Sequence, residues 1–245
     1  MSYVCRFVVL IIGLSMLSAA SPLIRGADDK SQNPAVKPNQ RKDKFALQRH
    51  EAFVERAKKG DVDVLFLGDS ITQGWEGKES KEVWEKEFGK LKPANFGIGG
   101  DRTEHILWRI TEGKELEGIR PKAVVLMIGT NNMGSNSAEQ IAEGVTAIVK
   151  ELNHQLPHTK ILLLGIFPRS AKATDSFRAK IKDCNERIAK LDDGKQVHYL
   201  DIGGKFLEAD GSLSKDIMPD YLHLSKKGYQ IWADAIKEDL GKLLK

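Results

Sequence analysis

The chain has 245 residues, 41% of them hydrophobic and 29% charged, with a formal net charge of +4. This is the composition of a chain that buries one sizeable core. The small, evenly spread positive charge argues against a nucleic-acid partner, since no basic stripe is interleaved with aromatics.

At the N-terminus, Arg6 is followed by the apolar run Phe7 to Leu17 and by Ser18, Ala19, Ala20 and Ser21. That order is the layout of a secretory signal peptide over residues 1–20, cleaved after Ala20. The run is shorter than the roughly 20 apolar residues that cross a bilayer, and Cys5 precedes it, where a lipid-modified cysteine would follow it. Cleavage leaves Cys184 as the one remaining cysteine, which excludes an internal disulfide. In a helix-like segment with no cation at an obvious spacing, Cys184 reads as a packed thiol and not as a nucleophile. Residues 21–44 are polar, carry three prolines and lack periodicity, which predicts an unstructured tether. The folded domain is expected over 45–245.

Helix-like segments are predicted near 44–59, 80–89, 103–111, 137–155, 174–191 and 226–244. Short apolar runs at 63–67, 93–96, 122–128, 160–166 and 197–201 alternate with them. Three of these runs are apolar on both alternations, as strands covered on both faces must be. About five strands separated by helices predict a three-layer α/β/α domain around a parallel sheet.

Ligands of open parallel sheets lie beyond the carboxyl ends of the strands. There the sequence places Gly68, Asp69 and Ser70, then Gly97 to Asp101, then Gly129 to Asn132, then Pro168 and Arg169. A serine hydroxyl becomes a useful nucleophile only with a base in reach, an acid orienting that base, and donors for the developing oxyanion. Ser70 is the candidate nucleophile, though alone it reads more readily as a helix cap. Among six histidines, His223 stands out because Asp220 precedes it by three residues, so one turn can present a carboxylate to its Nδ1. His154 and His158 have metal-pair spacing, but Pro157 interrupts the helix that would align them and no third ligand follows. His105 reads as a surface or supporting residue. Gly99 and Gly100 can present unobstructed N–H groups, and Asn131 a neutral amide donor; each has a competing reading as a turn.

Together, Gly68-Asp69-Ser70, Gly100, Asn131 and Asp220-x-x-His223 resemble the four motif blocks of the SGNH hydrolases, also called GDSL-type lipases and esterases. The segments 95–110, 129–132 and 220–229 are similar to the catalytic subunits of the brain-type platelet-activating-factor acetylhydrolases. The resemblance covers roughly Val62 to Leu240. It implies a flavodoxin-like fold and a triad of Ser70, His223 and Asp220. It also implies an oxyanion hole of the Ser70 and Gly100 N–H groups with the Asn131 side chain, and a small acyl pocket around Ile71, Thr130 and Leu222. No metal or organic cofactor is expected.

Two departures from that pattern bear on the substrate: the segment 74–81 is longer, and an exported, tethered enzyme is not the setting of an intracellular phospholipid acetylhydrolase. Trp75 and Trp108 read either as part of a leaving-group surface or as core and rim, with core favoured for Trp108. Asp69 is expected to brace the loop and not to serve as the triad acid. The expected activity is that of a secreted or periplasmic serine esterase acting on short-chain, chiefly acetyl, esters of carbohydrate or lipid. Its partner is a small-molecule ester, with a homodimer as an assembly state the sequence leaves open. The competing readings are a non-catalytic carbohydrate-binding protein that keeps the hydrolase fold and a dinucleotide-binding module. The second is weakened by Arg102 standing where the loop needs its last glycine.

Overall fold

The computed structural model describes residues 1–3 and 33–245. The expected signal peptide beyond residue 3, and the 21–32 part of the expected tether, lie outside the described residues.

Five strands are described: β1 (Val64–Gly68), β2 (Pro93–Gly97), β3 (Ala123–Met127), β4 (Lys160–Leu164) and β5 (Val197–Leu200). They form one sheet in the order β2-β1-β3-β4-β5, every pairing parallel. All five residues of β1 and of β3 are buried, which explains their unbroken apolarity. Side chains alternate across a strand, so Leu65 and Leu67 enter one apolar cluster while Val64 and Phe66 enter the other.

The helices divide accordingly. One layer holds α1 (Lys44–Lys58), α4 (Thr103–Ile110), α5 (Ala138–Gln155) and α6 (Ser176–Ile188). The opposite layer holds α2 (Ser70–Gln73), α3 (Ser80–Phe88) and α7 (Lys226–Leu243). Local signals mark their starts: Asp43, Ser137, Asp175 and Ser225 each accept a hydrogen bond from a first-turn N–H. This is the expected three-layer α/β/α, flavodoxin-like arrangement. Its strand order reverses at β1, so the chain leaves neighbouring strands toward opposite faces and opens a crevice there. Gly68 pairs in register with Gly97 on one side and Met127 on the other, so three strands end level at that crevice.

The structure departs from expectation in three places. Four-residue α2 has too little length to show a period. Residues 33–43 are ordered, not an unstructured tether: Ala35 is fully buried, and its carbonyl accepts from Thr103 Oγ1 at 2.9 Å. Asn33 Nδ2 donates to Gln140 O and to Glu143 Oε2, so polar side chains find their partners on the domain and the folded unit begins at residue 33. Trp108, expected in the core, is not enclosed, and Trp75, left open between core and surface, is. Trp75 is 1% exposed inside an aromatic cluster with Phe66, Trp84, Phe88, Tyr229 and Trp232. Trp108 is half-buried, edge-on to His50 with centroids 4.9 Å apart. Cys184 is fully buried, and burial pushes its thiol up to about 12, so it is an inert packed residue.

Candidate active site

β1 ends at Gly68, and the next two residues turn the chain into α2. Asp69 is buried, and its Oδ1 accepts from Ile71 N at 2.9 Å, capping the helix that Ser70 begins. This is the bracing role expected of it. Its Oδ2 has no hydrogen-bond partner among the described residues. Burial above all, with the Asp101 carboxylate adding, pushes Asp69 up to about 7 against the opposing hydrogen bond from Ile71.

The structure brings Ser70, His223 and Asp220 together. Ser70 Oγ lies 2.9 Å from His223 Nε2, and His223 Nδ1 lies 2.7 Å from Asp220 Oδ2. The other carboxylate oxygen, Oδ1, accepts from the backbone N–H groups of His223 at 2.7 Å and Leu222 at 3.0 Å. Burial pushes the Asp220 carboxyl up, but the hydrogen bonds from the His223 ring and from these N–H groups outweigh it and hold the group below its ordinary value. An ionised Asp220 favours the tautomer with the proton on Nδ1, leaving Nε2 as an acceptor for the serine proton.

The glycine loop after β2 closes over α2. A side chain at Gly97 would place its Cβ 2.2 Å from Gln73 N, so only glycine allows the strand end to lie against the helix. Gly99 N donates to Gln73 Oε1 at 2.7 Å. Gly100 has φ +84°, a conformation open to glycine at low cost, and its N–H meets no acceptor among the described residues. Asn131 Nδ2 donates to the Asp101 carbonyl at 2.8 Å. An amide nitrogen carries two hydrogens, so that bond orients the group and leaves a second donor.

The three expected acyl-pocket residues all border this constellation in the chain. Ile71 is 1% exposed, and Leu222 packs on the same apolar cluster. Thr130 is buried, with Arg169 Nη1 donating to its carbonyl at 3.2 Å. None of the three lines the open groove of about 500 Å³ beside Ser70 and His223. Its walls come from residues 74–80 and 219–229; most of their exposed surface is apolar, and Lys78, Glu79, Ser80, Ser225 and Lys226 add charged and hydroxyl groups to it.

Other expectations resolve simply. His105 caps α4, its Nδ1 accepting from Arg102 N at 3.1 Å, and burial pulls the ring below its ordinary value. His154 lies in the last turn of α5, which ends before Pro157.

Sequence reasoning missed the support behind the glycine loop. Asp101 is fully buried between two guanidinium groups: Arg109 Nη1 at 2.6 Å from Oδ2 and Arg41 Nη1 at 3.2 Å from Oδ1. Arg109 also bonds both oxygens of buried Glu115 and the Phe96 carbonyl, and Glu115 pairs with His50 Nδ1 at 2.7 Å. Burial pulls the Arg109 guanidinium down, but the two carboxylates outweigh it and keep it charged. The one signal available was the eight-residue spacing of Asp101 and Arg109 across the start of α4, which is too loose to single out a pair.

The family model for GDSL-like Lipase/Acylhydrolase matches residues 66–231. The chain is 39% identical over 218 residues to platelet-activating factor acetylhydrolase IB subunit alpha1 of Homo sapiens, across 87% of this chain and 92% of that protein. A solved GDSL-like lipase from Bacteroides thetaiotaomicron VPI-5482 superposes with a TM-score of 0.60 at 20% identity, covering 80% of this chain and 95% of that one. An acetyl xylan esterase structure superposes with a TM-score of 0.61 at 21% identity, covering 72% and 98% respectively. At such identities the two structures speak to the fold alone.

Proposed function

The chain belongs to the GDSL-like lipase/acylhydrolase family and is a carboxylic ester hydrolase; on that premise we propose that it is an exported serine esterase that removes acetyl groups from O-acetylated carbohydrate. The observation that carries the catalytic assignment is the unbroken hydrogen-bonded chain from Ser70 Oγ through His223 to Asp220.

In this reading Ser70 Oγ attacks the ester carbonyl while His223 Nε2 takes its proton. The tetrahedral oxyanion is held by the N–H groups of Ser70 and Gly100 and by the Asn131 amide. His223 then passes the proton to the departing alcohol, leaving an acyl-serine. Water enters by the same route, giving its proton to His223, and the carboxylic acid departs as Ser70 Oγ recovers that proton. Asp220 keeps the imidazole oriented and stabilises its cation. Ile71, Thr130 and Leu222, neighbours in the chain of Ser70, Asn131 and His223, are the side chains assigned to the acyl group.

Support for a sugar as leaving alcohol comes from the openness of the groove beside Ser70 and from Lys78, Glu79, Ser80, Ser225 and Lys226 at its walls, whose charged and hydroxyl groups can bond sugar hydroxyls. The likeness in fold to an acetyl xylan esterase agrees with this choice. The arrangement of residues 1–20 supports export, and N-terminal sequencing of the protein recovered outside the cytoplasm should begin at Ser21.

The decisive comparison is acetate release from acetylated xylan and from a short-chain acetyl phospholipid by the wild type and by Ser70→Ala. The reading expects the sugar ester to be the better substrate and the Ser70→Ala protein to be inert though folded. A faster phospholipid reaction overturns the leaving-group assignment; a working Ser70→Ala overturns the nucleophile. Asn131→Ala should lower kcat on the order of 100-fold or more if its amide serves the oxyanion, and a change confined to KM would remove it from that role.

A further inference from the structure

The peptide that joins Gly99 to Gly100 is gripped on its carbonyl side from outside the sheet. Arg41 Nη1 donates to Gly99 O, and the same guanidinium reaches Asp101 Oδ1 at 3.2 Å and Asp43 Oδ2 at 2.9 Å. A peptide unit is planar and trans, so the Gly99 carbonyl and the Gly100 N–H point in opposite directions from one rigid plate. Whatever holds the carbonyl also aims the N–H. Two consecutive glycines have the least intrinsic resistance to rotating that plate, so its orientation has to come from bonds made to it.

We infer that Arg41 is a positioning residue that turns the Gly100 N–H toward the oxyanion, and that the segment 33–43 is a strap delivering it. This rests on the proposed reading of Gly100 as an oxyanion donor. The strap is anchored well away from Arg41. Ala35 is fully buried and bonded to Thr103 Oγ1, Asn33 holds α5, and Asn39 N donates to Glu104 O at 3.0 Å. Its other end is the Asp43 cap of α1, where Asp43 Oδ1 accepts from Ala46 N at 3.0 Å.

Arg41 is therefore fixed at both flanks, with its side chain 21% exposed against the fully buried Asp101. A cation bonded to the Gly99 carbonyl also polarises that amide, which strengthens its N–H as a donor. Flipping the plate would break the Arg41 bond and turn a carbonyl oxygen toward the developing negative charge. Asp101 connects this grip to the second donor, since its own carbonyl receives Asn131 Nδ2.

The test compares Arg41→Ala, Arg41→Gln and Arg41→Lys with the wild type on a soluble aryl acetate, following kcat, KM and near-ultraviolet circular dichroism. Exposed Lys42→Ala serves as the charge control. Arg41→Ala is expected to lose roughly 10- to 100-fold in kcat, less than outright loss of an oxyanion donor, with KM within about threefold. Arg41→Gln and Arg41→Lys should fall between Ala and wild type, and guanidinium ion at millimolar concentration should restore part of the Arg41→Ala rate. A kcat within twofold of wild type in both Arg41→Ala and Arg41→Gln overturns the inference. A loss of rate that tracks the folded fraction and is not rescued by guanidinium overturns it as well. Ser70→Ala run alongside separates the two levels: an active Ser70→Ala sinks the parent reading, while an inert Ser70→Ala beside a full-rate Arg41→Ala sinks the strap alone.

Discussion

The two sides of the candidate site are held by opposite means. The oxyanion side rests on buried charge: Asp101 and Glu115 side chains are 0% exposed and Arg109 is 3% exposed. The base side rests on a solvent-facing loop, where the Asp220 and His223 side chains are 56% and 45% exposed. Burying ions is costly unless each is paired and fully hydrogen-bonded, and here Asp101, Arg109 and Glu115 pair within one stretch of chain while Arg41 joins them from a second. The base loop needs no such investment, because a three-residue spacing lets Asp220 bond the ring and backbone of His223 directly. The Gly99–Gly100 peptide has no side chain of its own to hold it and takes its orientation from partners elsewhere in the fold. The Asp–His loop carries its geometry within itself.

The sharpest way to break this contrast is to remove charge from each side and compare activity with stability. Asp220→Asn should lower kcat by about 10⁴, by analogy with a triad left in the wrong tautomer, while the unfolding midpoint in urea barely moves. A large loss of stability would show that the base loop is as structural as the oxyanion side. Arg109→Met leaves two carboxylates buried without their partner and should cost about 3–5 kcal/mol in urea unfolding. A cost below about 1 kcal/mol would mean that the buried network does not support the loop.

The smaller effect lies between the sides, at Asp69. Its folded pKa of about 7 stands above the ordinary 3.8, so the folded state retains a proton that the unfolded chain gives up between those values. The stability linked to this group is therefore fully present below pH 4 and is lost as pH rises through 7. Asp69→Asn keeps an oxygen for the Ile71 N–H and cannot titrate. The stability of Asp69→Asn relative to wild type should rise across that window, by at most about 4 kcal/mol at 1.36 kcal/mol per pH unit. Parallel stability curves from pH 4 to 8 would remove Asp69 as the titrating group.

Much of this architecture was legible in the residues. Val64 to Gly68 and Ala123 to Met127 announced strands covered on both faces, and glycine at successive strand ends announced the crevice. Asp220-x-x-His223 was readable because its chemistry closes within one turn. The strap was not, since Asn33, Asn39 and Arg41 have the composition of a solvated linker and become structural only through partners elsewhere. Trp108 was misjudged, and Trp75 left open, for a related reason: a tryptophan carries the same payload wherever it sits, and only packing decides which of two is enclosed.

Periodicity, caps and the Asp–His spacing act over a few residues, so the chain itself carries them, and with them the layer order and the identity of the chemically active groups. Tertiary structure alone decided that Ser70 meets a histidine 153 residues away, and that Arg41 grips a loop about 60 residues on. Contacts of that separation depend on loop closure and on burial that pays for stripping water from charge. No local pattern records either quantity, and both are settled only when the sheet brings its strand ends level.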